Sequence, residues 1–169
     1  MKVSEVLFSE KTAIGATNWT GEKIRTKDFP LNRGRFPLTK RWRWRLERFE
    51  ALRRQFRLLI AYHITVPEFL AVLGEEVAGD CRVITSLEYH RSHPGWHVHS
   101  SCEHCELLPI GQSRPPAFKR IPRSMVYHRN VDFLPANLGM TDTSADDIAM
   151  DFFHLDGTGD LFSRQSLPW

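Results

Sequence analysis

Hydrophobic residues recur at spacings of three and four along the chain from Trp42 through Leu46, Phe49, Leu52 and Phe56 to Leu59. Such a stripe is one face of an amphipathic helix. It predicts a helix over residues 39–60, with Thr39 as its cap. Residues 58–65 then turn β-rich and apolar. Pro67 predicts a short helix running to Val77 and ending at Gly79. The β-branched run Val83-Ile84-Thr85 predicts a strand over 81–90. His93-Pro94-Gly95 reads as a turn, residues 96–102 as a second strand and 118–128 as a third. Thr143-Ser144-Ala145-Asp146-Asp147 places acids at the positive end of a helix dipole and predicts a helix to about Leu155. Residues 1–37 hold Gly15, Gly21, Pro30, Gly34 and Pro37 without periodicity. They predict an irregular arm with one short strand near 3–8.

The fold class expected from these elements is α+β. A single domain spans 1–169: an irregular arm (1–37), a core (38–140) and an acidic C-terminal helix and tail (141–169). In the core, an antiparallel sheet of about four or five strands carries the basic amphipathic helix on one face. At 169 residues the chain is long enough for one hydrophobic core. No apolar run reaches the roughly 18 residues of a membrane span, and the first residues lack the apolar stretch of a signal peptide. Three cysteines argue against a disulfide framework. Free thiols then point to a cytoplasmic protein.

Charge changes the picture. The net charge is +3, but residues 21–60 carry thirteen Lys/Arg against four Asp/Glu, while 141–160 carry six Asp and no Lys or Arg. A basic half points to a polyanion partner, nucleic acid first. On the expected helix, Arg43, Arg54 and Arg57, with Arg45 and Arg48 nearby, would track phosphates. The alternative is that the basic and acidic poles neutralise each other, within the chain or between copies in a homo-oligomer or with a protein partner. A related expectation is that the acidic segment covers the protein's own basic face.

The chemistry concentrates in residues 88–106. Five of the eight histidines fall between His90 and His104, with Cys102 and Cys105 beside them. Imidazole and thiolate are the ligands that divalent transition ions prefer. Residues two apart on a strand share a face, so Glu88 pairs with His90 and His97 with His99. In a hairpin that sets His90 opposite His97 and Glu88 opposite His99, four ligands would converge on one sheet face. A one-residue slip would separate them.

The segment Ser86-Leu87-Glu88-Tyr89-His90, a short turn, then Gly95-Trp96-His97-Val98-His99 resembles the metal-binding segment of HUH endonucleases, the family of rolling-circle replication initiators and relaxases. The resemblance implies His97 and His99 as paired ligands, Glu88 as the third, and a divalent ion (Zn, Mn or Mg) that polarises a scissile phosphate. It also implies an attacking tyrosine, for which Tyr127 is the candidate. A second reading takes Cys102-Glu103-His104-Cys105 as a zinc knuckle completed by His97, His99 or Cys81, a structural site in a binding module or partner subunit without catalysis. In a third, His97-Val98-His99, Glu103 and His128 weakly resemble the metal motifs of cupins, which implies a small-molecule enzyme. His63-Ile64-Thr65 echoes half of a histidine-phosphoesterase motif, against an ordinary hydrogen-bonded histidine at a strand end.

Overall fold

A computed structural model describes residues 1–31, 36, 38–90, 93–100, 104–113, 119–120 and 139–155. The protein is mostly β, and the α+β expectation is corrected. Among the described residues seven antiparallel strands lie in sequence order: β1 (Thr12–Ala16), β2 (Trp42–Ala51), β3 (Arg54–His63), β4 (Phe69–Val77), β5 (Asp80–His90), β6 (His93–Ser100) and the two-residue β7 (Lys119–Arg120). Among the described residues the α-helices are α1 (Val3–Phe8) and α2 (Asp142–Phe153). A helix thus stands where a strand was expected near 3–8, and β1 occupies part of the arm read as irregular.

The helix expected over 39–60 is instead the β2–β3 hairpin, paired from Trp42↔His63 to Ala51↔Arg54. Its physical origin is a change of face. Trp44 and Leu46 pack on one side of the sheet, while Phe49 and Ala51 pack on the other. A strand that buries one face and then the other yields apolar spacings of three and four without any helix. The turn is Leu52-Arg53, both at positive φ (52° and 59°). That is the conformation of a tight two-residue hairpin turn, formed here without the usual Asn or Gly.

The helix expected from Pro67 to Val77 is likewise a strand. Phe69, Ala71 and Leu73 enter one core and Val72 the other, so β4 is buried on both sides and its period of two is masked. Gly79, read as a helix end, has φ 80° beside Ala78 at φ 51°. These two residues turn Val77 back onto its partner Asp80. Their left-handed backbone serves a hairpin.

Two apolar layers sandwich the sheet. On one face, Val3, Val6 and Leu7 of α1 and Ala145, Ile148, Ala149, Phe152 and Phe153 of α2 pack on Phe56, Leu58, Ile60, Leu73 and Leu87. On the other, Phe29 and Leu31 of the N-terminal arm cover Leu46, Leu59, Ala61, Val72, Cys81 and Val83. These are the helix face and the arm face below. Arg57 secures the arm by donating from Nη1 to the carbonyls of Lys27 (2.8 Å) and Asp28 (2.6 Å). Thr141 caps α2, its hydroxyl accepting from the Ser144 backbone N–H at 3.1 Å.

The basic and acidic poles meet within the chain. Arg43 forms a two-pronged pair with Asp142 at 2.8 and 2.7 Å, and Arg45 Nε lies 2.6 Å from Asp146. Tyr62 donates to Asp142 at 2.6 Å and Trp19 to Asp146 at 3.2 Å. The start of α2 is thereby tied to β2 and β3. No helix of the described residues is long and apolar enough to cross a membrane.

Candidate metal centre

β5 and β6 build the site by simple alternation. Leu87, Trp96 and Val98 belong to the helix-face core. Their sequence neighbours Ser86, Glu88, His97 and His99 therefore stand on the arm face. The register pairs Glu88 with His97 and Ser86 with His99. The expected pairing of Glu88 with His99 and His90 with His97 is thus off by two residues. Two is a full period of a strand, so the shift keeps Glu88, His97 and His99 on one face while changing which residues are directly opposed. On the other flank Glu88 lies opposite Leu70 and Ser86 opposite Val72, and His97 stands opposite Arg120 in the β6–β7 register.

Ligand atoms of Glu88, His97 and His99 all lie within 4.8 Å of one another. His97 Nε2 is 3.7 Å from Glu88 Oε2, and His99 Nε2 is 3.8 Å from Oε1. The two imidazole rings are 5.6 Å apart and inclined at 72°. The carboxylate thus faces an imidazole with each oxygen. Both nitrogen–oxygen distances exceed the roughly 2.7–3.2 Å of a hydrogen bond. A tetrahedral ion with bonds of about 2.0–2.1 Å sets its ligands roughly 3.3 Å apart, so each glutamate–histidine approach is about half an ångström longer than such an ion would set. Glu88 and His97 are buried, whereas the His99 side chain keeps 16% of its surface exposed. Access to the centre is therefore from the His99 side.

Two hydroxyls bond to these residues. Ser86 is fully buried and donates from Oγ to Glu88 Oε1 at 3.0 Å. Thr85 donates to the His99 carbonyl, also at 3.0 Å. The signal for both lay in the sequence as Thr85-Ser86 two and three residues before Glu88. The register was needed to show what they touch.

The other expected residues are distributed differently. Cys105 is buried in the helix-face core, on the opposite side of the sheet from the three ligands. Burial pushes its thiol up to about 11, which disfavours the thiolate a metal needs. Cys81 is on the arm face, but seven residues from Glu88 along β5, about 20 Å at strand rise. Its thiol is also pushed up by burial. His90 closes β5, paired with His93 after an irregularity in the ladder. His63 receives the Thr65 backbone N–H on Nδ1 at 3.2 Å and meets Trp42 edge-on. Cys102, Glu103, Tyr127 and His128 lie outside the described residues, as does most of the strand expected over 118–128.

The five arginines do not form one phosphate-binding stripe, because the helix that would have aligned them is a hairpin. Arg43 and Arg45 reach α2. Arg48 and Arg57 both hold Glu76, at 3.1 and 2.8 Å. Arg54 bridges Glu75 (2.7 Å) and Glu106 (3.0 Å). Every one has a carboxylate partner in its own chain.

No known protein family, curated protein or solved structure matches this chain.

Proposed function

We propose that the protein is a metal-dependent protein whose Glu88, His97 and His99 hold a divalent transition ion, with coordination positions left for water and substrate. The observation that carries this reading is the convergence of one carboxylate and two imidazoles, from adjacent strands, to within 4.8 Å. Two nitrogens and one oxygen suit Zn, Mn or Fe better than Mg, which prefers oxygen. Among the described residues the ligands number three, the complement of a catalytic centre, whereas structural zinc sites use four. The ion's chemistry would be that of a Lewis acid, polarising a substrate oxygen or acidifying a bound water.

The phosphodiester of a nucleic acid is the substrate class proposed from the HUH-like spacing of these same three residues. The intramolecular pairing of the five arginines lends it no support. The deciding experiment is elemental analysis of the purified protein beside His97→Ala/His99→Ala, Glu88→Gln and Cys102→Ser/Cys105→Ser. Metal should be lost with the histidines and the glutamate and retained without the cysteines. Metal that follows the cysteines would overturn the assignment. Cleavage of single-stranded DNA or RNA by the metal-loaded protein, absent from the histidine variant, tests the substrate class separately.

A further inference from the structure

We infer that Ser86 is a positioning residue that holds Glu88 to metal coordination through one oxygen. This rests on the metal reading above and deepens it.

A carboxylate can meet an ion with one oxygen or with two, and the choice sets how many positions remain for substrate. At this site the two oxygens of Glu88 are not equivalent. Oε1 accepts the Ser86 hydroxyl at 3.0 Å in a fully buried setting. Each oxygen faces an imidazole, Oε2 at 3.7 Å from His97 Nε2 and Oε1 at 3.8 Å from His99 Nε2, so the Ser86 hydroxyl is what distinguishes them. Ser86 has the geometry to impose this difference. It precedes Glu88 by two residues on the same strand face, and it stands opposite His99 in the β5–β6 register. It therefore lies between the backbone of one ligand and the carboxylate of another. Val72 flanks it on β4. In this buried setting the Ser86 hydroxyl fixes the carboxylate plane and draws electron density from Oε1, which makes Oε2 the better donor to an ion. Outer partners of this kind commonly contribute about 10–100-fold in metal affinity. One-oxygen coordination with two imidazoles fills three positions, so a five- or six-coordinate ion keeps two or three for substrate and water.

The test uses Co²⁺ as the probe, with the full chain and Ser86→Ala. Wild type should bind Co²⁺ and develop a visible ligand-field spectrum. Ser86→Ala should bind about ten- to a hundredfold more weakly, with a changed band position and intensity as Glu88 swings to a two-oxygen mode. Thermal melts of the two apo-proteins establish that both are folded. Infrared difference spectra of the wild type, metal-loaded minus apo, give a second readout that needs no variant. A wide separation of the carboxylate stretching bands marks one-oxygen binding, and a narrow one marks two. A narrow separation overturns the inference. So does an unchanged Co²⁺ spectrum and affinity in a folded Ser86→Ala. A wild-type protein that takes up no Co²⁺ overturns the metal reading itself, and with it the role of Ser86.

Discussion

Gly74→Ala separates the strand packing seen here from the helix that the same segment predicts. In the interior of a helix, Ala is favoured over Gly by about 0.8–1.0 kcal/mol, so the substitution would stabilise the protein. In β4 the opposite holds. A Cβ on Gly74 would sit 2.2 Å from Cys81 Sγ and 3.0 Å from Phe29 Cζ. The first distance is 1.2 Å short of the 3.4 Å at which ordinary contact begins. Cys81 is fully buried, so its sulfur has little room to retreat in a closely packed layer. Overpacking of this kind costs about 1–3 kcal/mol, and a clash this deep belongs at the upper end. Cys81→Ala alone removes one buried atom and should cost on the order of 1 kcal/mol, like other small core deletions. In the double variant the clash is gone, so its loss should be smaller than the sum of the singles by about 1–2 kcal/mol. Urea denaturation with freely fitted slopes measures all four corners of this cycle. A Gly74→Ala protein at least as stable as its parent would refute the packing, and so would a cycle that is additive within about 0.3 kcal/mol.

Three further outcomes follow from the residues described. Glu47 has its carboxyl raised, first by burial and then by the repulsion of Asp146, against the opposing pull of Arg45. A raised carboxyl gains stability as pH falls toward its ordinary value; Glu47→Gln should therefore compare best with its parent at pH 8, and denaturation that shows the two diverging in the variant's favour on acidification would contradict this. Tyr62 is pushed up to about 12, by burial first and then by its bond to Asp142; its contribution is complete below about pH 10 and lost as pH rises through 12, so alkaline absorbance titration should find a late-ionising step that Tyr62→Phe removes. Arg43→Ala leaves Asp142 without its two-pronged partner, and acid unfolding should shift to higher pH, because that guanidinium holds the Asp142 carboxyl below its usual range.

Much of the candidate site was legible in the sequence, because strand alternation is a short-range rule. Trp96-His97-Val98-His99 and Leu87-Glu88 each declare which residues share a face, and a register error of two residues leaves that conclusion intact. The fold was harder to read. The alternation Trp42-Arg43-Trp44-Arg45-Leu46-Glu47 is a strand signal, but burial changes face at Arg48-Phe49 and the period of two breaks there. Arginines beside tryptophans looked like an exposed cationic face. In fact Arg43 and Arg45 lie beneath α2, and their partners Asp142 and Asp146 are about a hundred residues away. No local pattern reports a partner so distant. The Leu52-Arg53 turn was silent for another reason. Its backbone adopts positive φ without Gly, Asn or Asp, so the tertiary structure imposes a conformation that the residues themselves do not request.

From β2 to β6 each strand pairs with the next one in the chain, and this order has a temporal meaning. Neighbour-to-neighbour pairing requires only short loops to close, and local topologies of this kind assemble quickly. Glu88, His97 and His99 belong to one such hairpin, which is complete once the chain reaches Ser100. The helix that locks Arg43 and Arg45 begins about forty residues later. On a ribosome, these three side chains would be synthesised before α2. On the proposed reading, an ion in the surrounding solution would then meet the hairpin before the C-terminal helix existed. If Glu88, His97 and His99 hold an ion as proposed, its identity would accordingly depend on which ions were present during synthesis as well as on the affinity of the finished site.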